Sequence, residues 1–531
     1  MPVCGVPNVG VIISQKHCKI IVPYTGAVHT LWPDAKRLDA GAVLDHNVAN
    51  TLLLRHIGYT VPSPISLYYD FPHPADEPPF KTQISSALML SENNRAYDLS
   101  DMGTGKTRTT LWAWDFLNKT KMCKKMLVVC PISTMHVTWA KEVFTILPGR
   151  KTSVLYGSKK QRLEALAKDV DIYLANHDGL KVIAKELAER TDIDVLVLDE
   201  LAVYRNNSQR SKQMRKFAQR FNIVWGLTGA PMPNSPVDAW GLAKIVSPAL
   251  APKYQKQAKD LLMTQLSQYK WVPKKDAVDN AFKMLQPSIR HALDDVTELP
   301  EMIIRPATEV PLSKQQAEVY GKIKRELVAM VHDKTITAHN AGVGLNKLIQ
   351  VASGWVYSKA PEFVKLDAEP RITALLDMVE SCSRKVIVFV PFRHAIEGIS
   401  EIFKSREVDH CVIHGDVGAD DRALLINAFQ TTDQYKVLLA HPGCVHHGLT
   451  LTAADTIIWY SPVLSLDVYT QACARIRRAG QKHRQQIFRF QSTPVEARCY
   501  HLLQSKETLQ DKLLDMLENA TEANITHNIG H

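Results

Sequence analysis

Ser100-Asp-Met-Gly-Thr-Gly-Lys-Thr107 is the stretch from which the fold of this chain is read. Gly103 and Gly105 permit a tight turn whose backbone N–H groups, that of Thr104 included, point at phosphate oxygens. The helical run Thr107–Leu117 follows and offers its positive N-terminal end to the same anion. Lys106 is spaced to reach the β- and γ-phosphates of a nucleotide, and the Thr107 hydroxyl to bind Mg²⁺. Ser100 stands where the strict phosphate-loop pattern has glycine. The bland alternative is a glycine-rich strand-to-helix turn with no ligand.

Two further segments weigh against that alternative. Asp194-Val-Leu-Val-Leu-Asp-Glu200 reads as an apolar strand ending in two carboxylates. At the carboxyl edge of a sheet shared with the loop, Asp199 holds Mg²⁺ and Glu200 polarises the attacking water. Gln471-Ala-Cys-Ala-Arg-Ile-Arg-Arg-Ala-Gly-Gln481 carries Arg475 and Arg478 three positions apart. On a helix these share a face and can meet a γ-phosphate as arginine fingers, with Arg477 turned elsewhere.

Working outward, β-branched runs recur at Met126–Cys130, Ile172–Ala175, Val195–Leu198 and Ile223–Leu227, separated by helix-like stretches such as Ser133–Phe144. The pattern returns at Val386–Val390, Cys411–Ile413, Val437–Ala440, Thr456–Tyr460 and Ile487–Phe490. Strands alternating with helices predict α/β lobes with parallel sheets covered on both faces. The organisation expected is a small N-terminal module over 1–75, lobe 1 over 76–240, a helical insert over 241–300, lobe 2 over 301–505 and a helical tail over 506–531. Within the module, Val11–Ile13 and Ile20–Val22 read as strands and Val43–His56 as a helix, with the Pro-rich stretch after Phe71 as a linker.

The 531 residues are 45% hydrophobic and 22% charged, an ordinary globular balance that argues against long disorder. The formal charge of +10 points to a polyanionic partner. Nine cysteines, odd in number and without a C-x-x-C pair, read as reduced thiols of a cytosolic protein. No basic-then-apolar leader is visible, and no apolar run reaches the ~18 residues of a membrane span. His441, Cys444, His446 and His447 fall close together, but adjacent histidines on an extended segment face opposite sides, which suits chelation badly.

The motifs in order resemble the superfamily 2 helicase-like ATPases, and within them the Swi/Snf-type DNA translocases, in a compact bacterial or phage-like form. Pro131-Ile-Ser-Thr-Met-His-Val-Thr-Trp-Ala-Lys-Glu142 resembles the family's segment after the second strand. Leu227-Thr-Gly-Ala-Pro-Met-Pro-Asn234 resembles its coupling motif, and Ile413-His-Gly-Asp416 the opening of lobe 2. Gly448-Leu-Thr-Leu-Thr-Ala-Ala-Asp455 and Gln471 through Gln481 resemble motifs V and VI. Leu299-Pro300, Gln316 and Tyr320 resemble the hinge between lobes.

The resemblance implies two RecA-like lobes that hydrolyse Mg-ATP between them and step along double-stranded DNA. It implies that Gln83 contacts adenine, that Gln471 joins the nucleotide site, and that Thr228, Gly229 and Gly448 couple ATP state to lobe position. Asp199-Glu200-Leu201-Ala202 departs from the family's Asp-Glu-x-His by lacking the histidine. Arg205 through Arg220 holds six basic residues and no acidic one, and Arg475–Arg489 and Arg150–Arg162 are also basic. Arg205, Arg210, Lys212 and Trp139 are the candidate DNA contacts, made to phosphates without sequence reading. Replication, repair or recombination proteins are the further partners in view; no membrane is expected, and the place is the cytoplasm, beside the nucleoid or in a viral host's cytosol. A strand-separating or annealing helicase shares every motif quoted, and an ATP-gated clamp stays open as a third reading.

Overall fold

A computed structural model describes residues 10–504, apart from 40, 268–270, 297–298, 333–337, 358–362, 446–449 and 479. The predicted tail over 506–531, and His446, His447 and Gly448, lie outside the described residues. The chain forms two compact units. The first takes Met1–Pro231, Val237–Leu262 and Lys275–Ala292; the second takes Met232–Pro236, Met263–Lys274 and Leu293–His531.

The first unit begins with an antiparallel sheet of β1 (Ile12–Ser14), β2 (Lys19–Val22), β3 (Lys36–Leu38) and β4 (Gly41–Asp45), ordered β1-β2-β4-β3. Ile20, Val22, Val28, Ala42, Leu44, Leu54 and Val61 form its own small core. The expected helix over Val43–His56 is therefore shorter. Val43 and Leu44 pair with β2, and the helix runs Val48–His56 from an Asn47 cap whose side chain accepts the Asn50 N–H. The Pro-rich stretch is no free linker. Tyr69 and Phe71 enter the core of the neighbouring α/β body, and the buried Trp112 indole donates to the Pro72 carbonyl at 2.9 Å.

That body is a parallel sheet of β5 (Arg95–Asp98), β6 (Lys125–Cys130), β7 (Thr152–Leu155), β8 (Ile172–Asn176), β9 (Ile193–Asp199) and β10 (Ile223–Leu227). After a hairpin of β11 (Met263–Gln265) and β12 (Trp271–Pro273), β13 (Ser288–Ile289) joins its edge, giving the order β13-β5-β10-β9-β6-β8-β7. The stretch expected as a separate helical insert, 241–300, is thus divided. The helix Asp238–Val246 is almost wholly buried in the first unit, and β13 completes that unit's sheet. Sequence periodicity missed β5, β7 and β13 because they are short and each begins with a polar residue, Arg95, Thr152 and Ser288, which weakens the strand signal.

The second unit has an all-parallel sheet of β14 (Met302–Ile304), β15 (Thr308–Glu309), β18 (Lys385–Phe389), β19 (His410–Ile413), β20 (Val437–Ala440), β21 (Ala454–Trp459) and β22 (Gln485–Gln491), with the β16 (Trp355–Tyr357) and β17 (Phe363–Lys365) hairpin beside it in sequence. Its order is β14-β22-β21-β18-β20-β19, with β15 on β22. All nine β-branched runs read from the sequence are strands of the two sheets, so the α/β two-lobe reading holds. The eight described cysteines are all unpaired, and five are buried. No described helix is long and apolar enough to cross a membrane.

One ion pair fixes the back of the second unit. Arg371 and Glu496, 1% and 0% exposed, meet through two bonds of 2.8 and 2.9 Å. Arg371 also donates to the Tyr460 carbonyl and to the Ser461 and Ser492 hydroxyls, tying its helix to the ends of β21 and β22. Removing one member leaves the other charge buried and unpaired. Glu496→Ala is expected to destabilise the second unit by about 3–5 kcal/mol, whereas the apolar double change Arg371→Met with Glu496→Leu recovers most of that loss. Urea unfolding followed by tryptophan fluorescence checks both.

Candidate nucleotide site

The phosphate loop lies between β5 and the helix Lys106–Lys119. Gly103 and Gly105 have φ of 89° and 91°, the left-handed region that favours glycine. The start of the loop is held from three sides. Asp98, buried at the end of β5, accepts the Ser100 N–H at 3.0 Å. The end of β13 and the segment after it add Leu99 N–H to Ile289 carbonyl at 2.8 Å and Asp101 N–H to His291 carbonyl at 3.0 Å. The Ser100 hydroxyl accepts the His291 N–H at 3.1 Å, a use for serine at a position where glycine has no side chain to offer. Lys106 donates to the Ser100 and Asp101 carbonyls at 2.7 and 2.8 Å, so its ammonium is folded over the loop.

Gln83, taken from the resemblance as an adenine contact, is buried and braces the loop. Its amide donates to the Thr104 carbonyl at 3.1 Å while its oxygen accepts the Phe80 N–H at 3.1 Å. The fit with Gly105 is tight: a Cβ there would stand 2.1 Å from Gln83 Nε2.

The acid pair sits two strands away. Register sets Leu227 of β10 beside Asp98 of β5 on one side and Asp199 of β9 on the other. Burial pushes the Asp199 carboxyl upward, while the Trp139 N–H, the Lys106 charge and the Glu200 N–H pull it back toward the anion. Trp139 donates to Asp199 Oδ2 at 2.9 Å and is 0% exposed. It is therefore a core residue orienting the acid, and not the DNA contact the sequence raised: no strand can reach it. Glu200 adopts φ 53°, a left-handed backbone that costs a non-glycine residue strain and throws its side chain off the line of β9. Thr107 on the first helical turn and Asp199 form a hard-oxygen donor set of the kind that suits Mg²⁺.

Thr228 and Gly229 follow β10 directly. Thr228 is buried, its N–H bonded to the Asp98 carbonyl at 3.1 Å and its hydroxyl accepting the Ala230 N–H at 3.3 Å. Gly229 leaves little room: a Cβ would lie 3.3 Å from Met102 N and 3.4 Å from the Ser100 carbonyl. The segment read as a coupling motif thus touches the phosphate loop itself.

In the second unit the helix Leu466–Cys473 ends before the arginines. Arg475 and Arg478 therefore do not share a helical face as expected; they stand on the turns beyond it. Arg475 is 0% exposed with its Nε on the Gln471 carbonyl at 2.8 Å. Arg478 is partly exposed and reaches the Thr450 hydroxyl at 3.3 Å. Gln481 clamps the same region through the Thr452, Ala454 and Ile476 carbonyls. Gln471 is buried, its amide bonded to Asp467.

A model of the SNF2-related domain matches residues 94–353, and one of the helicase conserved C-terminal domain matches residues 370–480. This chain belongs to the SNF2-related, helicase-type ATPase family. An uncharacterized ATP-dependent helicase of Mycoplasma genitalium is 25% identical over 434 residues, 80% of this chain and 41% of that protein. The ISWI chromatin-remodeling complex ATPase of Saccharomyces cerevisiae is 24% identical over 443 residues, 77% of this chain and 38% of the yeast one. A putative protein of Acyrthosiphon pisum secondary endosymbiont phage 1 is 26% identical over 460 residues, 81% of this chain and 96% of the phage one. The chain thus spans about two fifths of the first two relatives and nearly all of the third.

For an SNF2-related chain, the basic stretches are less exposed than the sequence implied. Arg205 turns back to the Ala202 carbonyl, Arg215 lies over Trp240 at 4.5 Å, and Arg220 donates to the Leu187 and Arg190 carbonyls. Arg210 pairs with Asp178, and Lys212 and Lys216 stay exposed on the helix Gln209–Ala218. Arg150 pairs with Asp115 and Asp171, and the buried Arg162 bonds the Gly157 carbonyl and Asn176. The described residues hold no cluster of His, Cys, Asp or Glu suited to a metal; His441 Nδ1 accepts the Gly443 N–H.

Two glycine substitutions at the loop differ in their expected severity. Gly105→Ala combines a left-handed φ with a collision on Gln83, so about 1–3 kcal/mol of strain falls on the loop. ATP affinity is expected to drop about tenfold or more, since 1.4 kcal/mol is one decade. Gly229→Ala, whose methyl meets only 3.3–3.4 Å contacts, is expected to be milder. Titration of a fluorescent ATP analogue checks the order.

Proposed function

We propose that this chain is an ATP-dependent translocase or remodeler of double-stranded DNA. The observation that carries the reading is the side-by-side placement of the Lys106 loop, the Thr228-Gly229 turn and the Asp199-Glu200 pair at the carboxyl ends of three adjacent parallel strands. Membership of the SNF2-related family supports ATP use, and the relatives' names, an ATP-dependent helicase and a chromatin-remodeling complex ATPase, support a nucleic-acid track.

In this reading the loop N–H groups and Lys106 bind and orient the triphosphate. Glu200 holds the attacking water in line and takes its proton. Magnesium, when bound, would neutralise charge on the β- and γ-oxygens, held by Thr107 and Asp199. Trp139 keeps the Asp199 carboxylate aimed. Arg475 and Arg478 keep the finger role that the resemblance to motif VI gives them; Arg478 is the more accessible of the two. Thr228 and Gly229, in contact with the loop, pass its state to the rest of the first unit. Lys212 and Lys216 offer phosphate contacts, which hold the track without reading its sequence.

Lys106→Ala and Glu200→Gln are expected to abolish DNA-stimulated ATP hydrolysis, the latter by about 10²–10⁴-fold, the share of a general base. Ordinary turnover in either would overturn the site. Displacement of a triplex-forming strand without separation of a forked duplex identifies a translocase. Fork separation identifies a helicase instead, and hydrolysis with neither identifies a clamp.

A further inference from the structure

The chain passes from the first unit to the second between Ala292 and Leu293. Both flanks of that passage are fastened. On the first unit's side β13 pairs with β5, and His291 uses its carbonyl and its N–H on the phosphate loop, at 3.0 Å from the Asp101 N–H and 3.1 Å from the Ser100 hydroxyl. On the second unit's side Leu293 is buried and opens the short helix Leu293–Val296. Asp294, in the first turn of that helix, forms an ion pair with Arg477. Two residues, Ala292 and Leu293, separate the fastenings.

Arg477 stands between Arg475 and Arg478. The helix Leu466–Cys473 has ended by that point, so the turns carrying the three arginines lack a continuing helical ladder and draw their hydrogen bonds from elsewhere. The Arg475 carbonyl accepts the Leu451 N–H at 3.0 Å, and the Ile476 and Arg478 carbonyls accept the Gln481 amide and the Gln481 N–H, each at 3.0 Å. These bonds hold the backbone. Arg477 adds a side-chain tie to a segment 183 positions away. Its side chain is 26% exposed and that of Asp294 68%, so the pair lies at the surface, where its loss leaves no charge buried.

We propose that Arg477 is a positioning residue for the arginine segment: its pair with Asp294 fixes the turn from which Arg475 and Arg478 leave. The same stretch, Ser288–Asp294, thus fastens the phosphate loop in one unit and the arginine turn in the other. Arg477 itself acts on neither nucleotide nor track. Its effect passes through its neighbours, since three successive residues share one turn and a small misplacement of a charge-bearing group slows a reaction. The inference rests on the proposed DNA-stimulated ATPase, in which Arg475 and Arg478 meet the phosphate charge.

The test is ATP hydrolysis by the full chain at saturating random-sequence duplex DNA. Asp294→Arg sets two guanidiniums against each other, Arg477→Asp sets two carboxylates, and the double variant restores the pair with its charges exchanged. Each single change is expected to lower kcat about fivefold, the upper end for an exposed ion pair, with KM for ATP, the DNA concentration for half stimulation and the melting temperature kept. A fall in kcat at constant KM marks an interaction made in the transition state. The double variant is expected to return to within about twofold of the parent, the coupling that a double-mutant cycle isolates. If a charge reversal does not fold, Asp294→Asn and Arg477→Gln remove charge with little change of shape; each should lose about threefold in kcat, and the two together no more than either alone. The proposal is overturned if the single variants turn over like the parent, if the double is no faster than the slower single, or if the losses of the neutral pair multiply. It is overturned equally if Arg477→Asp raises the DNA concentration needed and spares kcat, which makes Arg477 a track contact. A parent chain that does not hydrolyse ATP, or one as active with Lys106→Ala, overturns the functional reading. A parent that Lys106→Ala silences and the pair variants leave untouched overturns this inference alone.

Discussion

Parallel strand register is the constraint on which the site depends. Leu227 is fixed between Asp98 and Asp199 by backbone hydrogen bonds on both sides. Because parallel strands end at the same edge, the loops that leave them must emerge together. The phosphate loop, the Thr228-Gly229 turn and the acid pair are thereby brought to one edge of the sheet, at the ends of three adjacent strands. A one-residue slip of β10 would turn every side chain on it to the other face and separate the three. β13 adds to the constraint: it pairs with β5 and accepts the Leu99 N–H, and the segment after it holds the Asp101 N–H and the Ser100 hydroxyl.

A second theme is the use of arginine inside the protein. Arg150, Arg162, Arg220 and Arg371 each spend their guanidinium on carboxylates or carbonyls of the chain. The planar fork can satisfy several acceptors at once, which lysine cannot do. A basic sequence is therefore not the same as a basic surface. Part of the positive charge is spent inside the protein, on carboxylates and backbone carbonyls. Among the cations that face solvent in the helix Gln209–Ala218, Arg210 is paired with Asp178, while Lys212 and Lys216 carry the compact hydrated charge that suits a phosphate track held without base reading.

Hydrogen bonds that cross between motifs were hidden from the sequence. Gln83 and Thr104, Trp139 and Asp199, and His177 and Tyr204 are each brought together from separate elements. Each residue has an ordinary reading in one dimension, a helix start or a core aromatic or a strand-end histidine. The residue spacing that signals a helix or a strand carries no information on such pairs, since it reports only local period.

The sequence by itself determined the strand-helix alternation, the phosphate loop, the acid pair and the order of the helicase motifs. These are local: glycine is needed for a positive φ, a β-branched run for a doubly covered strand, and a carboxylate at a strand end for the sheet's edge. Only the tertiary structure decided that Val43–Leu44 is strand, that β13 belongs to the first sheet, that Trp139 faces Asp199, and that Arg475 is buried beyond the end of its helix. Each was settled by a partner far away in the chain, because backbone N–H groups, carbonyls and charges removed from water must be satisfied by whatever the fold brings to them.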